Sequence, residues 1–473
     1  MAFKAVGEAS RFAWALLLIL VARRLGDEAF GRISFAYSFT SVFVLATDLG
    51  LGVLLIREAA RARDEAPRLF GNILSFKLIS SPLTLGLIAV AILLSGYPPE
   101  VVAVVLLFAG INLLRGVLDL YGALFSGLEV MEREAFLRNL HQIGLLLAGA
   151  GALALGCGPT GIATALLLAS LLLFIVGSVL VGRTVGRLRL LWEGTLWLDL
   201  LRKAFPLGLT VVFIVLSNEG DVVLLSFLGR AESEVGWYAA ASKILKMLQV
   251  FPMLVVSGIY PVFSDLAARP SEGFAKAYQG VFKLLLLAAV PAAIAVSGFS
   301  EPLIRLIYGP RFLPAAVPLR ILACSIPFLF LGYLLINVLV SSDHQGKAAL
   351  ATGGAATLIL VSDLLLIPAW GMTGAAVGAL VGQVGLVLLA GFWAERGVVH
   401  SRLARLAPKP LLAGIVMFGA VVMLGPVRWA LALPAALGAY LLVLILAGGL
   451  REEEVEAVRR IWRQPESKGI LRP

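Results

Sequence analysis

The chain has 473 residues, 60% of them apolar and 14% charged, with a net charge of +10 and a mean hydropathy of +0.96. Soluble domains run about 45–50% apolar and about 25% charged, so the composition excludes an ordinary soluble fold, and the basic excess belongs to helix ends at a membrane, with no nucleic-acid partner. Only helices and closed barrels satisfy every backbone group in lipid, and the alternating segments of a barrel are missing, which leaves an all-α bundle.

The first apolar run, 5–23, follows the single base Lys4 and lacks an A-x-A cleavage site. It leads straight into further apolar runs, so it reads as a retained span and not a signal peptide. Runs at 30–52, 71–95, 99–126, 134–156 and 160–181 complete a first set of six. A second six follows at 203–228, 236–264, 279–299, 314–340, 346–367 and 373–394. Two more, 409–425 and 428–449, bring the expected total to about fourteen. Each approaches the roughly 20 residues that cross hydrocarbon. The predicted divisions are 1–182, 183–396, 397–449 and a charged tail, 450–473. In the tail Val455, Val458, Ile461 and Trp462 share one helical face, and Glu456 and Arg460 form an i,i+4 pair on the other. It either lies on the cytoplasmic membrane surface or docks a partner enzyme.

Loop charges orient the bundle. With a cytoplasmic N-terminus, the cytoplasmic segments hold 25 Lys and Arg and the opposite loops seven, which predicts an even number of spans with both ends cytoplasmic. Cys157 and Cys324 sit in apolar runs as packing residues, too few for a disulfide framework. The chain also repeats itself. Gly158-Pro-Thr-Gly161 and Gly371-Met-Thr-Gly374 open the sixth and twelfth runs 213 residues apart, and Phe30-Gly31 matches Val235-Gly236 at a spacing of 205. Two six-helix lobes in the same orientation imply a pseudo-two-fold axis along the membrane normal.

Leu25-Gly-Asp-Glu-Ala-Phe-Gly31 resembles the LG-x-x-x-(F/Y)-G turn of the polysaccharide flippase family, the Wzx-type O-antigen flippases. That family belongs to the superfamily of lipid II flippases and MATE exporters. Asp48-Leu-Gly50 followed by Arg57-Glu58 is similar to the end of its second helix. Asp221-Val-Val-Leu-Leu with Gly236-Trp-Tyr-Ala-Ala240, Leu306-Ile-Tyr-Gly309, and Leu366-Ile-Pro368 with Gly371 and Gly374-Ala-Ala376 continue the likeness. The nearly absent extension before the first run departs from the pattern. The resemblance implies a flippase in the cytoplasmic (inner) membrane, moving an oligosaccharide on a polyprenyl pyrophosphate by alternating access of two lobes. It implies no enzymatic activity, and polysaccharide assembly enzymes as partners.

An ionisable group at bilayer depth costs from about 3 kcal/mol upward, so it faces the bundle interior or water. A pyrophosphate needs bases there. Lys77 has no acid within a turn along its own helix, and Lys243 and Lys246 share a face, again without an acid nearby. These three, with Arg11 and Arg115 in support, are the expected lining of a cationic substrate cavity. Competing readings stay open: Arg115 and Asp119 neutralise each other, Glu8 pairs with Arg11, and Lys283 and Arg320 snorkel to the interface. Asp48, Glu219 and Asp221 are candidates for binding a coupling Na+ or H+, against simple packing near helix ends; Asp363 is a further acid at depth. His344 and His400 lie at loop edges, and His141 reads as part of a polar cluster with Asn139 and Gln142. No metalloprotease, dinucleotide, P-loop or nucleophile-elbow motif occurs, and no other cofactor is expected. A lipid II flippase or a MATE-like exporter is the alternative. A polymerase or ligase is disfavoured by the short outer loops.

Overall fold

A computed structural model of the chain describes residues 13–186, 190–267, 272–398, 406–424 and 429–448, and all regular structure among them is helical. In chain order the helices are α1 (Ala13–Leu25), α2 (Asp27–Asp48), α3 (Leu51–Arg61), α4 (Ala66–Leu94), α5 (Pro99–Gly127), α6 (Met131–Ala154), α7 (Pro159–Val185), α8 (Gly194–Phe227) and α9 (Glu232–Leu248). There follow α10 (Val250–Ala267), α11 (Glu272–Gly298), α12 (Ser300–Ile307), α13 (Ala316–Ala323), α14 (Ile326–Ser341), α15 (Gln345–Trp370), α16 (Met372–Gly397), α17 (Pro408–Leu424) and α18 (Trp429–Leu446). Among the described residues nine segments are long and apolar enough to cross a bilayer, ten if the bent α13–α14 pair is one span. Of the expected apolar runs at 5–23, 134–156, 409–425 and 428–449, the described residues fall largely in helices. Their described parts, α1, α6, α17 and α18, are shorter or more polar than those nine. The predicted amphipathic tail, Glu8, Arg11 and His400 lie outside the described residues.

Three expected spans are split: 236–264 only by the single residue Gln249 between α9 and α10, the other two more sharply. The run 30–52 is not one helix: α2 ends at Asp48, and Leu49 (φ 44°) and Gly50 (φ 83°) turn left-handed before α3 starts. Gly50 is needed there. A Cβ on it would stand 2.6 Å from the Gly208 nitrogen, and a Cβ on Gly208 would stand 2.4 Å from the Leu49 carbonyl carbon and oxygen. The backbone of α8 therefore runs directly over the break. Gly208→Ala is expected to cost about 2 kcal/mol through that overlap, read as a lower thermal midpoint in detergent. The run 314–340 bends by 49° between α13 and α14. Pro327 lacks an N–H, and its ring clashes with the carbonyl four residues back, at Ala323, where α13 stops.

The chain divides into two compact units. The first comprises 1–240 together with 307–312 and 359–375. Its core packs Leu54, Leu55, Phe70, Ile73, Leu120, Tyr121, Leu124 and Phe125 from α3, α4 and α5, with Val181 of α7 and Ala204 of α8. At one end Arg68 and Asn72 of α4 grip Glu193 at the start of α8, with Arg68 Nε 2.9 Å from Oε1 and the Asn72 amide 3.1 Å from the same oxygen. Hydrogen bonds from Arg68, then from Asn72, pull the Glu193 carboxyl down to about 2. The second unit comprises 241–306, 313–358 and 376–473. There α11 packs against α13, α14 and α17, and the Tyr440 hydroxyl donates to the Leu287 carbonyl at 3.0 Å.

Candidate functional site

The first unit carries most of the polar chemistry, in two places. One surrounds the middle of the 29-residue α5. Arg115 donates to the Tyr37 hydroxyl at 3.1 Å and lies 3.9 Å from Asp119. Tyr37 in turn packs against the indole of Trp14, with ring centroids 5.6 Å apart. Asn112, one turn before Arg115, donates to Thr40 Oγ1 at 2.7 Å. The Arg115 side chain is 44% exposed and that of Asp119 72%. At this depth an exposed ion pair facing lipid would cost several kcal/mol, so this face of α5 borders water.

The other place is dry. Asp221 on α8 and Asp363 on α15 lie against each other, and the Tyr238 hydroxyl of α9 donates to Asp221. Asp363 is 0% exposed, and neither of its oxygens receives a hydrogen bond from an N–H or O–H group. Two carboxyls in contact, away from water, cannot both stay charged unless a cation stands between them; otherwise they share a proton. Nearby, Glu219 accepts a hydrogen bond of 2.6 Å from Ser38. In the sequence Asp221 stands out as a candidate for ion coupling and Asp363, 142 residues further on, only as a further acid at depth; the fold sets the two side by side. A carboxyl pair with a phenol fits a monovalent cation or a proton. No group of three or more His, Cys, Asp or Glu that could hold a metal ion occurs among the described residues.

The expected cationic residues fall in both units. Lys77 on α4 is 2% exposed at its side chain and forms an ion pair of 2.6 Å with Asp48, while its ammonium donates to the Gly116 carbonyl at 3.0 Å. In this conformation Lys77 is therefore half of a buried pair and not an open base. Asp48, a candidate for ion coupling, is spoken for by the same contact. Lys243 and Lys246 are half-buried on α9, in the second unit.

Four of the segments that carried the resemblance, at 25–31, 236–240, 306–309 and 366–376, meet at one end of the first unit, whereas Asp48-Leu-Gly50 lies at the other end of α2. Phe30 packs against Tyr308 and Phe312, with ring centroids 5.9 and 5.6 Å away. Arg32 bridges Glu232 at 3.0 Å and Glu100 at 2.8 Å. Gly371 is left-handed (φ 56°), and Glu234 takes the space beside it to accept the Met372 N–H at 2.8 Å, capping α16. An acid at a helix N-terminus satisfies a donor that the helix cannot.

These features define a multi-pass, all-helical membrane protein with a transporter fold. Residues 7–267, more than half of the chain, match the family described as polysaccharide biosynthesis protein, and the chain belongs to that family. Residues 206–365 also match the MatE model. A probable low-salt glycan biosynthesis flippase of Haloferax volcanii, Agl15, is 25% identical over 43% of this chain and 44% of its own. An uncharacterised membrane protein of Methanocaldococcus jannaschii is 24% identical over 39% of this chain and 37% of its own. The chain thus spans less than half the length of the curated relatives it matches. Among solved structures, lipid II flippase MurJ in an inward closed conformation superposes with a TM-score of 0.71 at 15% identity, covering 94% of this chain and 98% of that one. An inward-facing MATE multidrug transporter gives 0.67 at 17%, covering 83% and 94%. These likenesses carry the fold.

Proposed function

We propose that the chain flips a polyprenyl-pyrophosphate-linked oligosaccharide from the cytoplasmic to the outer leaflet, by alternating access of two six-helix lobes at 1–182 and 183–396. It would sit in the cytoplasmic membrane with both termini inside, fed by polysaccharide assembly enzymes. The observation that carries this reading is a half-exposed guanidinium, Arg115, at mid-helix depth beside aromatic and carboxylate side chains. Arg115 supplies a fixed fork of donors for a diphosphate. Trp14 and Tyr37 offer apolar faces, and Asp119 an acceptor, for sugar rings and hydroxyls. Lys243, Lys246 and Arg11 would extend the cationic surface, and Lys77 would join it only in a state that releases Asp48.

Two forces are available. Moving one negative charge outward across 100 mV, inside negative, gains about 2.3 kcal/mol, close to fiftyfold in equilibrium. A Na+ or H+ taken up between Asp221 and Asp363, with Glu219 nearby, would couple an ion gradient to the cycle. The MatE match keeps export of cationic drugs as a second reading. Reconstituted vesicles separate the two. Arg115→Gln is expected to slow translocation of a fluorescent polyprenyl-pyrophosphate glycolipid about tenfold, a loss of ~1.4 kcal/mol, with Arg115→Lys milder. A wild-type rate in Arg115→Gln removes the residue from the path. Efflux of a cationic dye without glycolipid movement replaces the flippase by the exporter.

A further inference from the structure

We propose that α2 and α9 form the gate at the extracytoplasmic end of the translocation path, a two-fold-symmetric glycine crossing that Arg32 latches and that must part for substrate to leave. The inference rests on the transport reading and the orientation above. Gly31 and Gly236 are the positions that the 205-residue repeat makes equivalent. They also meet in space. A Cβ on Gly31 would lie 1.9 Å from the Glu232 carbonyl oxygen and 2.9 Å from the Gly236 nitrogen. A Cβ on Gly236 would lie 2.3 Å from the Asp27 carbonyl oxygen and 3.1 Å from the Gly31 nitrogen. Glu232 stands four residues before Gly236, and Asp27 four before Gly31. Each helix therefore touches the other through the same atoms at the same offset. A contact in which two equivalent patches face each other is isologous, and its axis passes between them. A repeat read along the chain and a contact read in space select the same pair of glycines, and neither observation depends on the other.

The crossing can exist only in a closed form. No side chain fits at either glycine, because the backbones themselves are in contact, the arrangement by which small residues pack helices in lipid. Such an interface is fitted or separated, with no stable intermediate spacing. Immediately beside it the symmetry ends. Arg32 bridges Glu232 on α9 and Glu100 at the start of α5. Its counterpart in the repeat, Trp237, donates instead to the Arg311 carbonyl at 3.2 Å. Arg23 holds the Ile307 carbonyl at 2.7 Å, and the Phe30, Tyr308 and Phe312 rings fill the space between. The glycines set how closely the helices approach, and the charges and rings on one side hold them there. Helices that met through large side chains could leak past one another by rotamer changes; backbone contact removes that route.

The test reads gate opening without any glycolipid, so it stands or falls apart from the identity of the substrate. In a background of Cys157→Ser and Cys324→Ser, Asp119→Cys places a thiol at the exposed face of α5. A membrane-impermeant maleimide is applied to right-side-out vesicles, and separately to inverted ones. Gly31→Ala and Gly236→Ala favour the helix locally but cannot fit the crossing, so each is expected to raise labelling from the extracytoplasmic face at least fivefold. Should alanine impair folding, Arg32→Cys with Glu232→Cys, joined by a short bis-methanethiosulfonate, is expected to cut labelling from that face at least tenfold, and a reductant to restore it. Labelling from that face unchanged by the alanines or by the cross-link overturns the gate. A rise confined to the opposite face keeps the crossing as a gate and inverts the orientation.

Discussion

Asp48→Asn is expected to lower the stability of the folded protein by about 3–5 kcal/mol, the cost of removing one partner from a buried ion pair. Lys77→Met should cost less. The Lys77 ammonium is enclosed, with only the Gly116 carbonyl left to it when Asp48 is neutral. Asp48 is 32% exposed and can turn to water when Lys77 is gone. The double variant, Asp48→Asn with Lys77→Met, should recover much of the loss, because it leaves no unpaired charge. Thermal unfolding of the four proteins in one detergent measures this as a double-mutant cycle. Equal losses from the two single variants, or additive losses in the double, would remove the buried pair as a stabilising element.

The second large effect concerns Asp363. Asp363→Asn is expected to stabilise the protein, since the new amide can donate to Asp221 without the shared proton or cation that two carboxyls in contact require. The same change should abolish the dependence of translocation on a cation. A ligand that binds only the folded state raises its stability by RT ln(1 + [L]/Kd), so the ion can be identified from unfolding midpoints alone. Midpoints in sodium chloride and in choline chloride, at two pH values, are compared. A response to sodium names the metal ion, and a response to pH with none to sodium names the proton. In Asp363→Asn both responses should vanish; a variant that keeps either does not bind its ion here.

The class of fold is legible in the sequence because the bilayer imposes it: apolar length and loop charge are local properties. What the sequence hides is set by contacts between distant segments. Lys77 looks unpaired because its acid lies 29 residues upstream, on another helix. Asp221 carries a visible motif, but the feature that makes it chemically unusual is Asp363, brought beside it by α15. Apolar length does not show the break after Asp48, since the run continues through it; the likeness of Asp48-Leu-Gly50 to a helix end marks it, and the close approach of Gly208 appears only in the fold. The similarity of Phe30-Gly31 to Val235-Gly236, by contrast, is readable along the chain, and the fold adds that the two glycines meet.

α8 holds two of these features on one rod. Gly208 lies over the break after Asp48, and Asp221, 13 residues on, enters the carboxyl pair. Thirteen residues rise about 20 Å and turn through about 1,300°, which puts the two positions roughly 140° apart around the axis. An inserted or deleted residue between them would swing one end by about 100° against the other and undo whichever contact it moved. The segment between 208 and 221 is thus held to its length, and at Glu219, which accepts from Ser38, to its side chain as well. Its phase, more than its composition, is the inherited quantity.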